Sequence, residues 1–138
     1  MVESASIDKE SHVRNPCGSL GEIAQLEEVV SVALKYAETH PQTLIIVTAD
    51  HAQAAQIIPE PSLYAEVPVP VYSPGHVARI TMSDGSLMTI NYATNGFLSE
   101  EHTGANVPLF ANDVGEGLLP GFLRQREVHD AMAKFLGL

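Results

Sequence analysis

The sequence is poor in basic residues. Seven lysines and arginines stand against seventeen aspartates and glutamates in 138 residues, a formal charge of −10. That deficit argues against nucleic acid or an anionic membrane as the main partner, since both are bound through excess positive charge. No apolar run approaches the roughly 20 residues needed to cross a bilayer; the longest, Leu44 to Val47 with its flanks, has the length of a strand. Met1-Val2-Glu3-Ser4 lacks the charged and apolar regions of a secretory leader. Chemistry-bearing residues follow almost at once, which hints at a start inside a larger protein. Cysteine is reduced to Cys17 alone. In a secreted protein an odd cysteine points to a missing partner or an intermolecular bond; in a cytosolic one it is a small inert hydrophobe. Internal repeats and low-complexity tracts are absent.

What remains is enough for one globular domain with a real core, the apolar fraction being 45%. Asn15-Pro16-Cys17-Gly18 is a turn signal. Ser19 and Glu22 then form a capping-box pattern. Ile23, Leu26, Val30, Ala33, Leu34 and Ala37 recur at helical spacing up to His40-Pro41, where proline disfavours further helix. The run Thr43 to Val47 is apolar and β-branched without alternation, which suits a strand buried on both faces in a parallel α/β sheet. Pro59, Pro61, Pro68, Pro70 and Pro74 mark a surface excursion at about 57–78 that cannot be regular helix. Asp84-Gly85 between two apolar runs predicts a hairpin. Val107 to Ala111 reads as a short strand. A final helix carries Val128, Ala131, Met132, Phe135 and Leu136 on one stripe before Gly137.

Three places concentrate potential metal ligands. Asp8 and His12 are four apart, so a helical turn would put them on one side; the same spacing is common among solvated surface pairs. Asp50-His51 follows the buried strand, at the rim where open sheets bind ligands; a helix N-cap aspartate beside a loop histidine is the alternative. His102 lies in Glu101-His102-Thr103-Gly104, where a lone histidine is usually just exposed.

Together the segments from Val2 to His12, from Thr48 to His51 and from Glu101 to Gly104 resemble the C-terminal metal-binding motifs of alkaline phosphatases of the bacterial type. Asn15-Pro16-Cys17-Gly18 and the Asp84-Gly85 hairpin are similar to that family too, so the resemblance covers nearly the whole chain. It implies the C-terminal part of a three-layer α/β sandwich with a mainly parallel central sheet and a small antiparallel hairpin, residues 1–138 forming one portion of that domain. It also implies phosphate-monoester hydrolysis with two zinc ions and a magnesium ion. By resemblance Asp8, His12 and His102 ligate the first zinc, which activates the attacking water. Asp50 and His51 contribute to the second zinc, Glu3 to magnesium, and Lys9 lies in the phosphate region. Two neighbouring cations can stabilise both the entering and the leaving oxygen of an in-line phosphoryl displacement. A periplasmic or secreted location and a homodimer are further expectations drawn from the family.

The chain departs from the family pattern in several respects. No serine lies in an Asp-Ser-Ala context, and Arg14, Arg79, Arg124 and Arg126 do not match the phosphate-binding arginine in order or surroundings. The nucleophile and the remaining ligands are therefore expected in an N-terminal remainder of the enzyme. Relatives often pair the cysteine corresponding to Cys17 with an earlier one. Gln53 replaces a histidine that orients a zinc ligand, and glutamine can still donate a hydrogen bond there. A non-catalytic zinc-binding fragment and a related sulfatase or phosphodiesterase are the competing expectations.

Overall fold

The computed structural model describes residues 1–58, 77–92 and 95–138. They form helix α1 (Ala5–His12), helix α2 (Pro16–Thr39), strands β1 (Ile46–Thr48), β2 (Ala52–Gln53), β3 (Gln56–Ile58), β4 (Val77–Thr81), β5 (Leu87–Asn91), β6 (His102–Thr103) and β7 (Leu109–Ala111), a 3-10 turn (Asp113–Gly115) and helix α3 (Gln125–Leu136). This mixture is consistent with an α/β fold. Of the proline-rich excursion, residues 59–76 lie outside the described residues, while its expected ends are strand: Ile57 and Ile58 belong to β3, Val77 and Ala78 to β4. The chain divides into two compact units, Met1–Leu26 with Gln53–Gly104, and Glu27–Ala52 with Ala105–Leu138.

In the first unit, α2 starts earlier than the Ser19 signal indicates. Pro16 takes the first helical position, where its missing N–H is no loss. Asn15 is the cap: its Oδ1 accepts from the Gly18 amide at 3.1 Å. Ser19, one turn in, instead reaches sideways, its hydroxyl 2.8 Å from the Ser11 hydroxyl and donating to the Ile7 carbonyl at 3.2 Å. These bonds hold α1 beside the start of α2. The hairpin at Asp84-Gly85 forms as the sequence suggests, with β4 and β5 antiparallel from Val77↔Asn91 to Thr81↔Leu87. Gly85 has φ +83°, a conformation that side chains resist. Asp84 Oδ1 accepts from the Ser86 hydroxyl at 2.6 Å and the Ser86 amide at 2.9 Å, and these bonds lower the carboxyl below its ordinary range. β3 pairs antiparallel with the other edge of β5, and Thr89, Ile90 and Tyr92 are buried there.

In the second unit, the apolar run was expected in a parallel sheet buried on both faces. Its described pairing is antiparallel to β7, Ile46↔Ala111 through Thr48↔Leu109, and its residues are half-buried or exposed. Unalternated apolarity reports that neither face prefers water; it carries no information about strand direction. Asn112 clips the entry to β1, accepting from the Ile45 amide at 3.0 Å and donating to the Thr43 carbonyl at 2.8 Å. Gly115 is buried where a Cβ would stand 2.8 Å from Ala111 Cβ, so the turn needs glycine for close approach. α3 begins with the Glu127 carboxylate accepting from the Arg124 amide at 2.6 Å. Its apolar stripe includes buried Ala131, and it ends at Gly137 in the left-handed conformation.

Candidate metal centre

α1 places Asp8 and His12 one turn apart, with His12 Nε2 3.3 Å from Asp8 Oδ2. His102 arrives from β6, ninety residues later in the chain. Its Nε2 lies 2.9 Å from His12 Nε2 and 3.4 Å from Asp8 Oδ1. The two rings are tilted by 37° with centroids 4.8 Å apart. All three residues belong to the first unit.

Donors about 2.0–2.1 Å from a tetrahedral zinc stand roughly 3.3 Å from one another. The His12–His102 separation of 2.9 Å and the two Asp8–histidine separations of 3.3 and 3.4 Å, which run to different oxygens of the carboxylate, are each close to that spacing. Two imidazoles and a carboxylate form a donor set that suits zinc better than magnesium or calcium, which prefer oxygen alone. The side chains of Asp8, His12 and His102 are 38%, 29% and 46% exposed, so the face opens to solvent.

Glu100, Ser99 and Gln53 contact these groups. The Glu100 carbonyl lies 2.5 Å from His12 Nδ1. A carbonyl only accepts, so Nδ1 carries the hydrogen and Nε2 presents its lone pair to the other two residues. The Ser99 hydroxyl also approaches the same Nδ1, at 3.2 Å. Gln53 Nε2 donates to Asp8 Oδ1 at 2.5 Å, while its Oε1 is buried and finds no partner among the described residues. Gln53 itself is held beside β6, because the Ala54 amide donates to the Glu101 carbonyl at 2.9 Å and the Thr103 hydroxyl to the Gln53 carbonyl at 3.5 Å.

Asp50 and His51 lie in the second unit. His51 Nε2 is 3.5 Å from Asp50 Oδ2; the Asp50 side chain is 85% exposed and that of His51 26%. The Asp50 carbonyl accepts from Gln125 Nε2, at the start of α3. Asp50 caps no helix, since β2 follows it. Glu3 is exposed in the segment before α1, and Lys9 is exposed on α1.

Nothing in the sequence pairs Arg14 with Glu100. Glu100 is 1% exposed, and Arg14 Nε donates to its carboxylate at 2.8 Å while Nη2 donates to Asn95 Oδ1 at 3.0 Å. Glutamate in a Glu-Glu-His stretch reads as solvated surface, and no local signal links it to an arginine eighty-six residues away. Tyr92, also buried, has its phenol pushed above its ordinary range by burial, then by the Glu100 charge and by Cys17.

Comparison with known proteins adds to this geometry. The sequence model described as alkaline phosphatase matches residues 1–95. The chain is 38% identical over 137 residues to an alkaline phosphatase of Escherichia fergusonii, covering 99% of this chain and 27% of that protein. Alkaline phosphatase H of Pseudomonas aeruginosa is 36% identical over the same coverage. Streptomycin-6-phosphate phosphatase of Streptomyces griseus is 41% identical over 111 residues, 80% of this chain and 23% of that protein. The chain thus spans about a quarter of the length of the curated relatives it matches.

Proposed function

The chain belongs to the alkaline phosphatase family, and from that premise we propose that it is the C-terminal portion of a metal-dependent phosphate-monoester hydrolase. The convergence of Asp8, His12 and His102 carries this proposal. These three would hold the first zinc. Asp50 and His51 would contribute to a second zinc and Glu3 to a magnesium ion, with Lys9 adding positive charge near the phosphate. Divalent ions bound there supply Lewis acidity and charge neutralisation for phosphoryl transfer. This chain's own residues prepare for them. Glu100 fixes the His12 tautomer and Gln53 holds the Asp8 carboxylate, and the partly exposed face would admit an ester.

The nucleophilic serine and the remaining ligands would come from the N-terminal remainder of the enzyme, because no Asp-Ser-Ala occurs in this sequence. The same remainder would complete the mainly parallel sheet of a three-layer sandwich, with residues 1–138 as one portion of it. A homodimer and a periplasmic location are part of the proposal. Among the described residues no helix is long and apolar enough to cross a membrane.

For the chain by itself, the lack of a nucleophile favours metal binding without turnover. Equilibrium dialysis with metal analysis tests the centre: about one zinc per chain is expected at Asp8, His12 and His102, lost in H12A and in H102A. Zinc retained by both variants would sink the assignment. Adding the N-terminal remainder should restore turnover of an aryl phosphate; turnover of an aryl sulfate instead would move the enzyme to a sulfatase.

A further inference from the structure

The contacts around Glu100 point to a function that extends past its own burial. Its backbone grips His12 from both sides, the amide donating to the His12 carbonyl at 2.8 Å and the carbonyl accepting from His12 Nδ1. Two residues later the chain reaches His102. Glu100 is therefore the point at which the histidine from α1 and the histidine from β6 are set against each other. Its side chain is fully buried, and a carboxylate withdrawn from water requires a partner to remain charged. Arg14 is that partner, only two residues beyond His12, with a side chain 12% exposed.

Arg14 also adopts φ +58°, alone in this respect among the described non-glycine residues. A side chain in left-handed backbone is held there by its surroundings, and such positions cluster near functional sites. Here the conformation turns the guanidinium back toward the segment 95–100. Its Nε takes the Glu100 carboxylate and its Nη2 the Asn95 side chain, whose oxygen also accepts from the Phe97 amide at 2.9 Å. The planar fork suits this double engagement in a way an ammonium does not.

We infer that Arg14 and Glu100 form a buried positioning pair that sets the ring orientation and tautomer of His12 against His102, and thereby the zinc affinity of the centre. The inference rests on the metal centre proposed above. Neither residue touches the ion or the substrate; both act through His12. Outer groups that orient a ligand typically change metal affinity by about 10- to 100-fold.

The test measures zinc dissociation constants of the full chain by competition with a fluorescent chelator, alongside the His12 tautomer in zinc-free protein by 15N NMR. R14M leaves a charged group buried and unpaired, which opposes folding; R14M/E100M removes both charges with similar volume and keeps a folded comparison. The double variant is expected to bind zinc about tenfold more weakly, with His12 divided between its two tautomers. R14K, which keeps the charge and gives up the fork, should fall between the two. A folded double variant with wild-type zinc affinity and an unchanged His12 tautomer overturns the inference, even when its unfolding midpoint has dropped. Wild-type protein that binds no zinc, or binds it equally after H12A, removes the metal centre itself and the role of the pair with it.

Discussion

Replacing Gln53 with leucine separates what the centre needs from what the fold needs. Gln53 Nε2 donates to Asp8 Oδ1, a charge-assisted bond. Such bonds contribute about 1.5–3 kcal/mol when buried, and the 38% exposure of the Asp8 side chain brings this toward roughly 1 kcal/mol. On the other side, Gln53 Oε1 is buried without a partner among the described residues, and removing such a group relieves about 1–3 kcal/mol. Leucine has nearly the same volume, so no cavity opens. The two contributions offset, and Q53L should unfold in urea within about 1 kcal/mol of wild type. Zinc binding should respond differently, because Asp8 loses the donor that aims its carboxylate; a weakening of about 10- to 100-fold is expected. Urea denaturation of zinc-free protein and chelator competition give the two numbers. A variant destabilised by several kcal/mol with unaltered zinc affinity would refute the reasoning, since Gln53 would then serve packing and not Asp8.

G115A should destabilise the second unit by about 1–3 kcal/mol in urea denaturation, because its Cβ would sit 2.8 Å from Ala111 Cβ and 3.3 Å from Leu44 Cδ1; an unchanged midpoint would show that the turn yields freely. Tyr92 should ionise above the ordinary phenol range in an ultraviolet titration, as burial and the Glu100 charge both oppose the phenolate. Its folded value lies above its unfolded one, so its contribution to stability is complete below the unfolded value and is lost as pH rises from about 10 through the folded value. A Tyr92 that titrates normally, or stability indifferent to pH in that window, would count against its burial.

Much of the local structure was legible because local chemistry determines it. The spacing of Asp8 and His12 gave one face of a helix, Asp84-Gly85 a hairpin, and the stripe before Gly137 a helix with its stop. Asn15-Pro16 reads as a turn and Ser19-Glu22 as the helix start, whereas Pro16 takes the first helical position and leaves Ser19 to bind Ser11. The direction of β1 was not legible, since its composition is compatible with either pairing. Least visible was Arg14 with Glu100. An ion pair between residues eighty-six apart leaves no periodicity, and a buried glutamate has the same letter as an exposed one.

Helix α1 has eight residues, none of them buried. A helix so short has little tendency to persist in water without outside help. Among the described residues its anchors include the serine bonds to α2, the Glu100 amide on the His12 carbonyl, and Gln53 on Asp8. Two of its eight side chains are the proposed metal donors Asp8 and His12. Clamping both at once would cross-link successive turns, as a staple does in a synthetic helical peptide. An ion at this centre would then act on the backbone as much as on a substrate, and amide hydrogen exchange along Ala5–His12 would slow in proportion to occupancy. The segment would report its own loading without any turnover being measured.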